Sequence, residues 1–145
     1  MRTHFSTAAS RATTKGDYQG AVSDFTRAIE LDAANARAFV GRGFARMHQG
    51  NPEAALLDYS RAIELNPRSF LAFLNRAFAR KQKGDLDGAI ADLNRALEIN
   101  SEDADAWFER GVLRGAKKDL DGALGDYAKA IDLNPKTREP METAA

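Results

Sequence analysis

Residues 104–137 read ADAWFERGVLRGAKKDLDGALGDYAKAIDLNPKT, and the same order of residue types recurs upstream at intervals of about 34 residues. In the middle of each copy lies a dipeptide that ends in Asp or Asn. The four copies of this dipeptide are Gly16-Asp17, Gly50-Asn51, Gly84-Asp85 and Lys118-Asp119. A fixed period in a 145-residue chain predicts several small units that share one continuous core.

The agreement between copies extends along the whole unit. Upstream of the dipeptide come an aromatic column and, four residues later, a small one: Phe5, Phe39, Phe73, Trp107 and Ala9, Gly43, Ala77, Gly111. Downstream come two alanine columns: Ala21, Ala55, Ala89, Ala123 and Ala28, Ala62, Ala96, Ala130. With Tyr127 and Pro135, the last copy has the spacing W-x2-L-G-x2-Y…A-x3-F…P, so the chain resembles the tetratricopeptide repeat family.

This resemblance implies an all-α fold, a right-handed α-solenoid of four helix-turn-helix hairpins. The units run over residues 2–35, 36–69, 70–103 and 104–137, and a flexible tail follows at 138–145. Two columns depart from the family pattern, because arginines stand where its first helix has Leu and Tyr. These arginines are Arg42 and Arg46, Arg76 and Arg80, and Arg110 and Arg114.

Local signals also favour a helical hairpin in each unit. Apolar residues recur at three- and four-residue steps, which gives each segment one apolar helical face. Glycine at the turn can adopt the left-handed conformation that ends the first helix, and the following Asp or Asn can cap the second. Lys118 replaces that glycine in the last unit, at a cost of about 1 kcal/mol in this conformation, so we expect its turn to differ or fray.

Composition excludes several classes of function. Lys plus Arg and Asp plus Glu both number 21, so no net charge attracts nucleic acid or an anionic membrane. The sequence has no cysteine and only two histidines, His4 and His48, too few for a zinc site. We therefore expect no metal and no cofactor. No apolar run approaches the length of about 18 residues that spans a bilayer, which favours the cytoplasm.

No set of residues has the spacing of a catalytic site. His48 has no cysteine to activate, and carboxylates are spread one or two per helix. The Gly-Asp pairs are not followed by the Lys and Ser or Thr of a phosphate-binding loop. We therefore expect no catalytic residue and no enzymatic activity.

In the tetratricopeptide family the first helices line a concave groove, and the resemblance assigns a partner-binding surface here. Its residues are Arg37, Val40, Phe44, Met47, Leu71, Leu74, Asn75, Phe78, Lys81, Phe108 and Val112. Their apolar character suggests a groove for an apolar segment, although bulky neighbours packing between units would explain it equally simply. Some family members grip a C-terminal carboxylate with Lys and Asn at the fifth and ninth positions of a first helix. Val40 and Phe44 occupy those positions here, so that clamp is absent.

The charges are unevenly distributed between the two helices of a unit. First helices carry Arg and Lys, whereas second helices carry carboxylates such as Asp58, Asp92 and Asp126. The simpler interpretation is that the Arg columns pair with these aspartates. The alternative is a basic border of Arg46, Arg80 and Arg114 that favours an acidic amphipathic partner.

The sequence therefore favours a non-catalytic scaffold or adaptor that binds a peptide or helix of another protein in its concave groove. The alternative is a structural protein that forms homo-oligomers through its uncapped C-terminal hairpin. A third, weaker hypothesis is nucleic-acid binding through the basic first helices. No membrane contact is expected.

Overall fold

The computed structural model describes residues 17–134. Over this range the chain forms seven α-helices and no strand. The helices are α1 (Tyr18–Leu31), α2 (Ala36–His48), α3 (Pro52–Leu65), α4 (Phe70–Gln82), α5 (Leu86–Ile99), α6 (Ala104–Ala116) and α7 (Leu120–Leu133). The predicted first helix of the first unit, Arg2 to Lys15, and the predicted tail at 138–145 lie outside the described residues.

Successive helices pack side by side along the chain. The tightest pairs are α2 with α3, α4 with α5, and α6 with α7, which form three hairpins, while each second helix also packs on the first helix of the next hairpin. The predicted all-α solenoid is thereby confirmed. The division into four units at the stated boundaries stays a prediction.

Small residues set the distance between the two helices of a hairpin. A methyl group placed on Gly43 would lie 2.6 Å from Cε1 of Tyr59, and one on Gly111 would lie 2.8 Å from Cε1 of Tyr127. Because an aromatic ring fills the space where a side chain would be, the helices approach closely only if these positions stay small. The small column therefore allows the two helices of a hairpin to pack closely.

The ends of the helices also follow the predicted chemistry. The side chains of Asn51, Asp85 and Asp119 each accept a hydrogen bond from a backbone N–H in the first turn of the following helix. Gly84 ends α4 in the left-handed conformation, with φ of 84°, and the backbone N–H of Asp85 donates to the carbonyl of Arg80 at 2.8 Å.

The expectation that the last turn would differ is wrong. Lys118 has a φ of 71°, and the N–H of Asp119 donates to the carbonyl of Arg114 at 2.8 Å, as in the preceding unit. Hydrogen bonds at the end of α6 therefore hold a lysine in a conformation that normally favours glycine, and the turn keeps its shape at an energetic cost.

Within residues 17–134, no helix combines the length and the apolar character needed to cross a bilayer.

Candidate functional site

In each of the three described hairpins, a buried aspartate of the second helix binds both arginines of the first helix. Asp92 accepts from Nε and Nη2 of Arg76 at 3.0 and 2.8 Å, and from Nη1 of Arg80 at 3.1 Å. Asp58 accepts the same bidentate and single contacts from Arg42 and Arg46. Asp126 accepts a bidentate contact from Arg110, and Nη1 of Arg114 donates to both of its oxygens. These aspartate side chains are no more than 4% exposed. The arginine columns therefore neutralise buried carboxylates.

This pairing corrects one of the two interpretations of the charge pattern. Arg46, Arg80 and Arg114 were candidates for a basic border that would attract an acidic partner. Each of them instead holds the buried aspartate of its hairpin. A guanidinium group engaged in a buried, hydrogen-bonded pair contributes little charge to an approaching ligand, so the basic border loses its support.

The first arginine of each pair also reaches the preceding hairpin. Its Nη1 donates to a polar side chain of the previous second helix, so one guanidinium joins three helices. The three bonds are Arg42 to Thr26 (3.2 Å), Arg76 to Ser60 (3.1 Å) and Arg110 to Asn94 (2.8 Å). The departure from the family pattern thus has a structural role, since polar contacts replace the apolar packing of Leu and Tyr.

The first helices lie on the side of the stack where neighbouring units come closest. Helix α2 contacts α4 directly, and Nζ of Lys81 on α4 lies 3.4 Å from Oε1 of Glu109 on α6. We call the surface formed by α2, α4 and α6 the inner surface. It is the side on which the resemblance places a ligand.

Several predicted site residues are partly buried against clusters that join neighbouring units. Val40 and Met47 pack against a buried cluster that includes Tyr59 and Ala79. Phe44 packs against the cluster around Phe25. These contacts agree with the alternative interpretation of the three apolar residues, which is packing between units. Leu74 likewise packs on the cluster that α4, α5 and α6 form.

Other predicted residues remain accessible. Leu71 is 56% exposed and Phe108 is 50% exposed, although the Phe108 ring also contacts the ring of Tyr127 at 5.5 Å between centroids. Arg37 is exposed. The remaining predicted residues are half-buried: Asn75, Phe78, Lys81 and Val112. The accessible apolar surface is therefore smaller than the sequence suggests and centres on α4 and α6.

A shallow depression lies between α4 and α6. It is open to solvent, and its space of about 170 Å³ includes part of that solvent. Among its lining residues are the predicted Leu74, Phe78 and Lys81, and Glu109 from the opposite helix. The depression brings together these residues of the third unit, whereas Arg37, Val40, Phe44 and Met47 belong to the neighbouring unit.

Sequence reasoning missed the floor of this depression. Leu93 and Leu113 line it and are almost completely buried. Leu113 stands where the second and third units have Ala45 and Ala79, so the larger side chain was a signal that could have identified it.

The remaining polar groups form no reactive arrangement among the described residues. Nδ1 of His48 lies 3.0 Å from the carbonyl oxygen of Phe44, and its ring stacks on Tyr18 with a centroid separation of 4.8 Å. Residues 17–134 contain no group of three side chains able to hold a metal ion. The surroundings of His48 are those of a polar helix terminus, not of a general base.

Comparison with known families gives matches along most of the chain. Models described as tetratricopeptide repeat match residues 12–35, 36–69 and 104–137, and one described as TPR repeat matches residues 79–118. None of these models describes an enzyme. No curated protein sequence matches the chain closely enough to count as a relative.

Solved structures share the architecture. A crystal structure of MamA is 27% identical and superposes with a TM-score of 0.78, covering 84% of this chain and 71% of MamA. YrrB, described as a TPR protein with an unusual peptide-binding site, is 28% identical with a TM-score of 0.73, covering 83% of this chain and 62% of YrrB.

A third structure agrees in fold at lower identity. The first TPR of Spaghetti (RPAP3), bound to the HSP90 peptide SRMEEVD, is 22% identical with a TM-score of 0.77, covering 81% of this chain and 94% of that one. The repeated helical hairpins, the recurrent small and aromatic columns and the matching family models agree, and the chain belongs to the tetratricopeptide repeat family.

Proposed function

We propose that this protein is a non-catalytic scaffold or adaptor that binds an apolar segment of another protein on its inner surface, between α4 and α6. The observation that carries the proposal is the depression lined by Leu74 and Phe78, with Leu71 and Phe108 exposed on the same two helices. Shallow apolar surfaces with a few polar residues at the edge suit a peptide better than a small molecule.

The charges at the depression indicate which partner fits. Lys81 and Glu109 neutralise each other across it. The arginines that would have favoured an acidic partner are paired with aspartates. We therefore propose that the partner is an extended or helical segment whose Leu or Phe side chains bind in the depression, and that it need not be acidic. The same pairing removes the reason to propose nucleic-acid binding.

The similarity to YrrB supports this proposal, because that relative is described as having a peptide-binding site. The cytoplasmic location indicated by the sequence stays a prediction, as does assembly of several copies through the last hairpin. A series of sedimentation measurements over a range of protein concentrations would detect such assembly.

Selection from a phage-displayed library of random peptides tests the binding function without knowledge of the natural partner. Peptides enriched on the wild-type protein are then measured against a Leu71→Glu, Phe108→Glu double variant. Leu57→Glu is the matched control, since Leu57 is 74% exposed on α3, outside the inner surface. Both variants are first checked for helix content by circular dichroism.

We expect the double variant to lose at least about tenfold in affinity and the control to bind like the wild type. Peptides that bind all three proteins equally would refute the assignment to the inner surface. Failure to enrich any peptide would refute a peptide-binding function.

A further inference from the structure

Two ion pairs at the edge of the stack join neighbouring units. Nζ of Lys83 lies 2.6 Å from Oε2 of Glu53, and Nζ of Lys117 lies 3.0 Å from Oδ1 of Asp87. In each pair the acid is the second residue of a second helix, and the lysine directly follows the first helix of the next unit. Asp121 is the second residue of α7 and therefore occupies the same position.

The apolar face of α7 matches the faces that are covered inside the stack. On α5, Leu97 is 6% exposed because α6 covers it, whereas its equivalent Ile131 is 56% exposed. Leu120 and Leu124 are each 65% exposed, while their equivalents on α5, Leu86 and Ile90, are half-buried. Helix α7 thus presents an apolar stripe with an acidic residue at its edge. On α5 the equivalent stripe is covered by the next helix, α6.

One feature distinguishes α7 from the covered helices. Thr26, Ser60 and Asn94 each accept a hydrogen bond from an arginine of the following unit. The equivalent residue on α7 is Ala128, which offers no side-chain acceptor. A helix that covers α7 should therefore carry an apolar residue where α2, α4 and α6 carry Arg42, Arg76 and Arg110, because an arginine there would lose its third partner.

Two copies of α7 packed antiparallel on each other would bring like charges together. Asp121 and Asp132 lie about three turns apart on one side of the helix, so a two-fold axis would place Asp121 of one copy beside Asp132 of the other. Like charges at an interface oppose association. Charge complementarity therefore favours a different chain that supplies a basic residue.

We propose that the exposed face of α7 docks an amphipathic α-helix of another protein, with apolar side chains on Leu120 and Leu124 and a Lys or Arg at its C-terminal end against Asp121. This surface is separate from the inner surface, so the protein would hold two partners at once.

A synthetic helix that follows the internal pattern tests this proposal. The probe is a fluorescent peptide with the sequence of residues 104–118 and the change Arg110→Leu, hydrocarbon-stapled on the face away from the stripe because short free helices are marginally stable. Its affinity is measured by anisotropy for the full chain, for a Leu120→Gln, Leu124→Gln variant, for Asp121→Lys, and for the control Leu57→Gln.

We expect the double leucine variant to lose about tenfold or more in affinity and the control to lose none. Asp121→Lys should lose about threefold, and a probe carrying Lys117→Glu should recover that loss. Absence of binding up to about 1 mM, equal losses in the control, or no recovery on charge exchange would overturn the proposal. It would equally be overturned if sedimentation showed a dimer that the leucine variant dissociates, because a second copy would then cover α7.

Discussion

Replacing Asp92 by alanine should destabilise the protein far more than replacing any exposed acid of the same helix. Asp92 is 3% exposed and accepts three hydrogen bonds from two arginines whose side chains are 16% and 30% exposed. Removing one partner of a buried ion pair costs about 3–5 kcal/mol, because the other charge stays buried and unpaired. Since Arg80 keeps a contact with Asp85 at 3.9 Å, we expect the lower end, about 3 kcal/mol.

The assay is urea-induced unfolding followed by far-UV circular dichroism. Glu98→Ala is the matched control, because this carboxylate on α5 is 65% exposed and lies 3.1 Å from Arg95. An exposed pair of this kind contributes about 1 kcal/mol at most. Equal losses in the two variants would refute the conclusion that the Arg and Asp network holds the hairpins together. A change in the urea dependence would show that one unit unfolds separately.

The remaining predictions concern a turn, the packing of the helices and a buried tyrosine. Lys118→Gly should raise the midpoint of urea unfolding, by about 1 kcal/mol in stability, because glycine adopts a φ of 71° without strain. Gly43→Ala should lose about 1–3 kcal/mol by driving a methyl group into Tyr59, whereas Gly125→Ala, with nothing within 4 Å, should gain up to about 1 kcal/mol in the same assay. Burial, and secondarily the neighbouring Asp58 carboxylate, raise the pKa of Tyr59 above 10.0, so the folded state favours the neutral phenol. The stability that this provides is fully present below about pH 10 and is lost progressively as the pH rises further, so Tyr59→Phe should reduce the alkaline loss of thermal stability.

The fold was accessible from sequence because its determinants are local and repeated. A glycine or lysine before a capping Asp or Asn, and a small residue opposite a bulky side chain, recur in each described hairpin, so each copy supports the interpretation of the others. Lys118 was the exception. Its residue type predicted a different turn, yet the hydrogen bonds of the neighbouring backbone determine the conformation.

The candidate site was less predictable because exposure depends on contacts between units. Val40 and Met47 have the same apolar character as Phe108. The first two nevertheless pack on a buried cluster that includes Ala79 of the next unit, whereas Phe108 is 50% exposed. The partner of each arginine was likewise uncertain. Arg46 lies twelve residues before Asp58, and only the packing of the two helices shows that they meet.

The most direct test of the binding surface is hydrogen–deuterium exchange of the full chain with and without a peptide selected on the wild-type protein. We expect the bound peptide to slow amide exchange chiefly in α4 and α6, whose residues line the depression. Slower exchange confined to α3 and α5, with α4 and α6 unchanged, would contradict it.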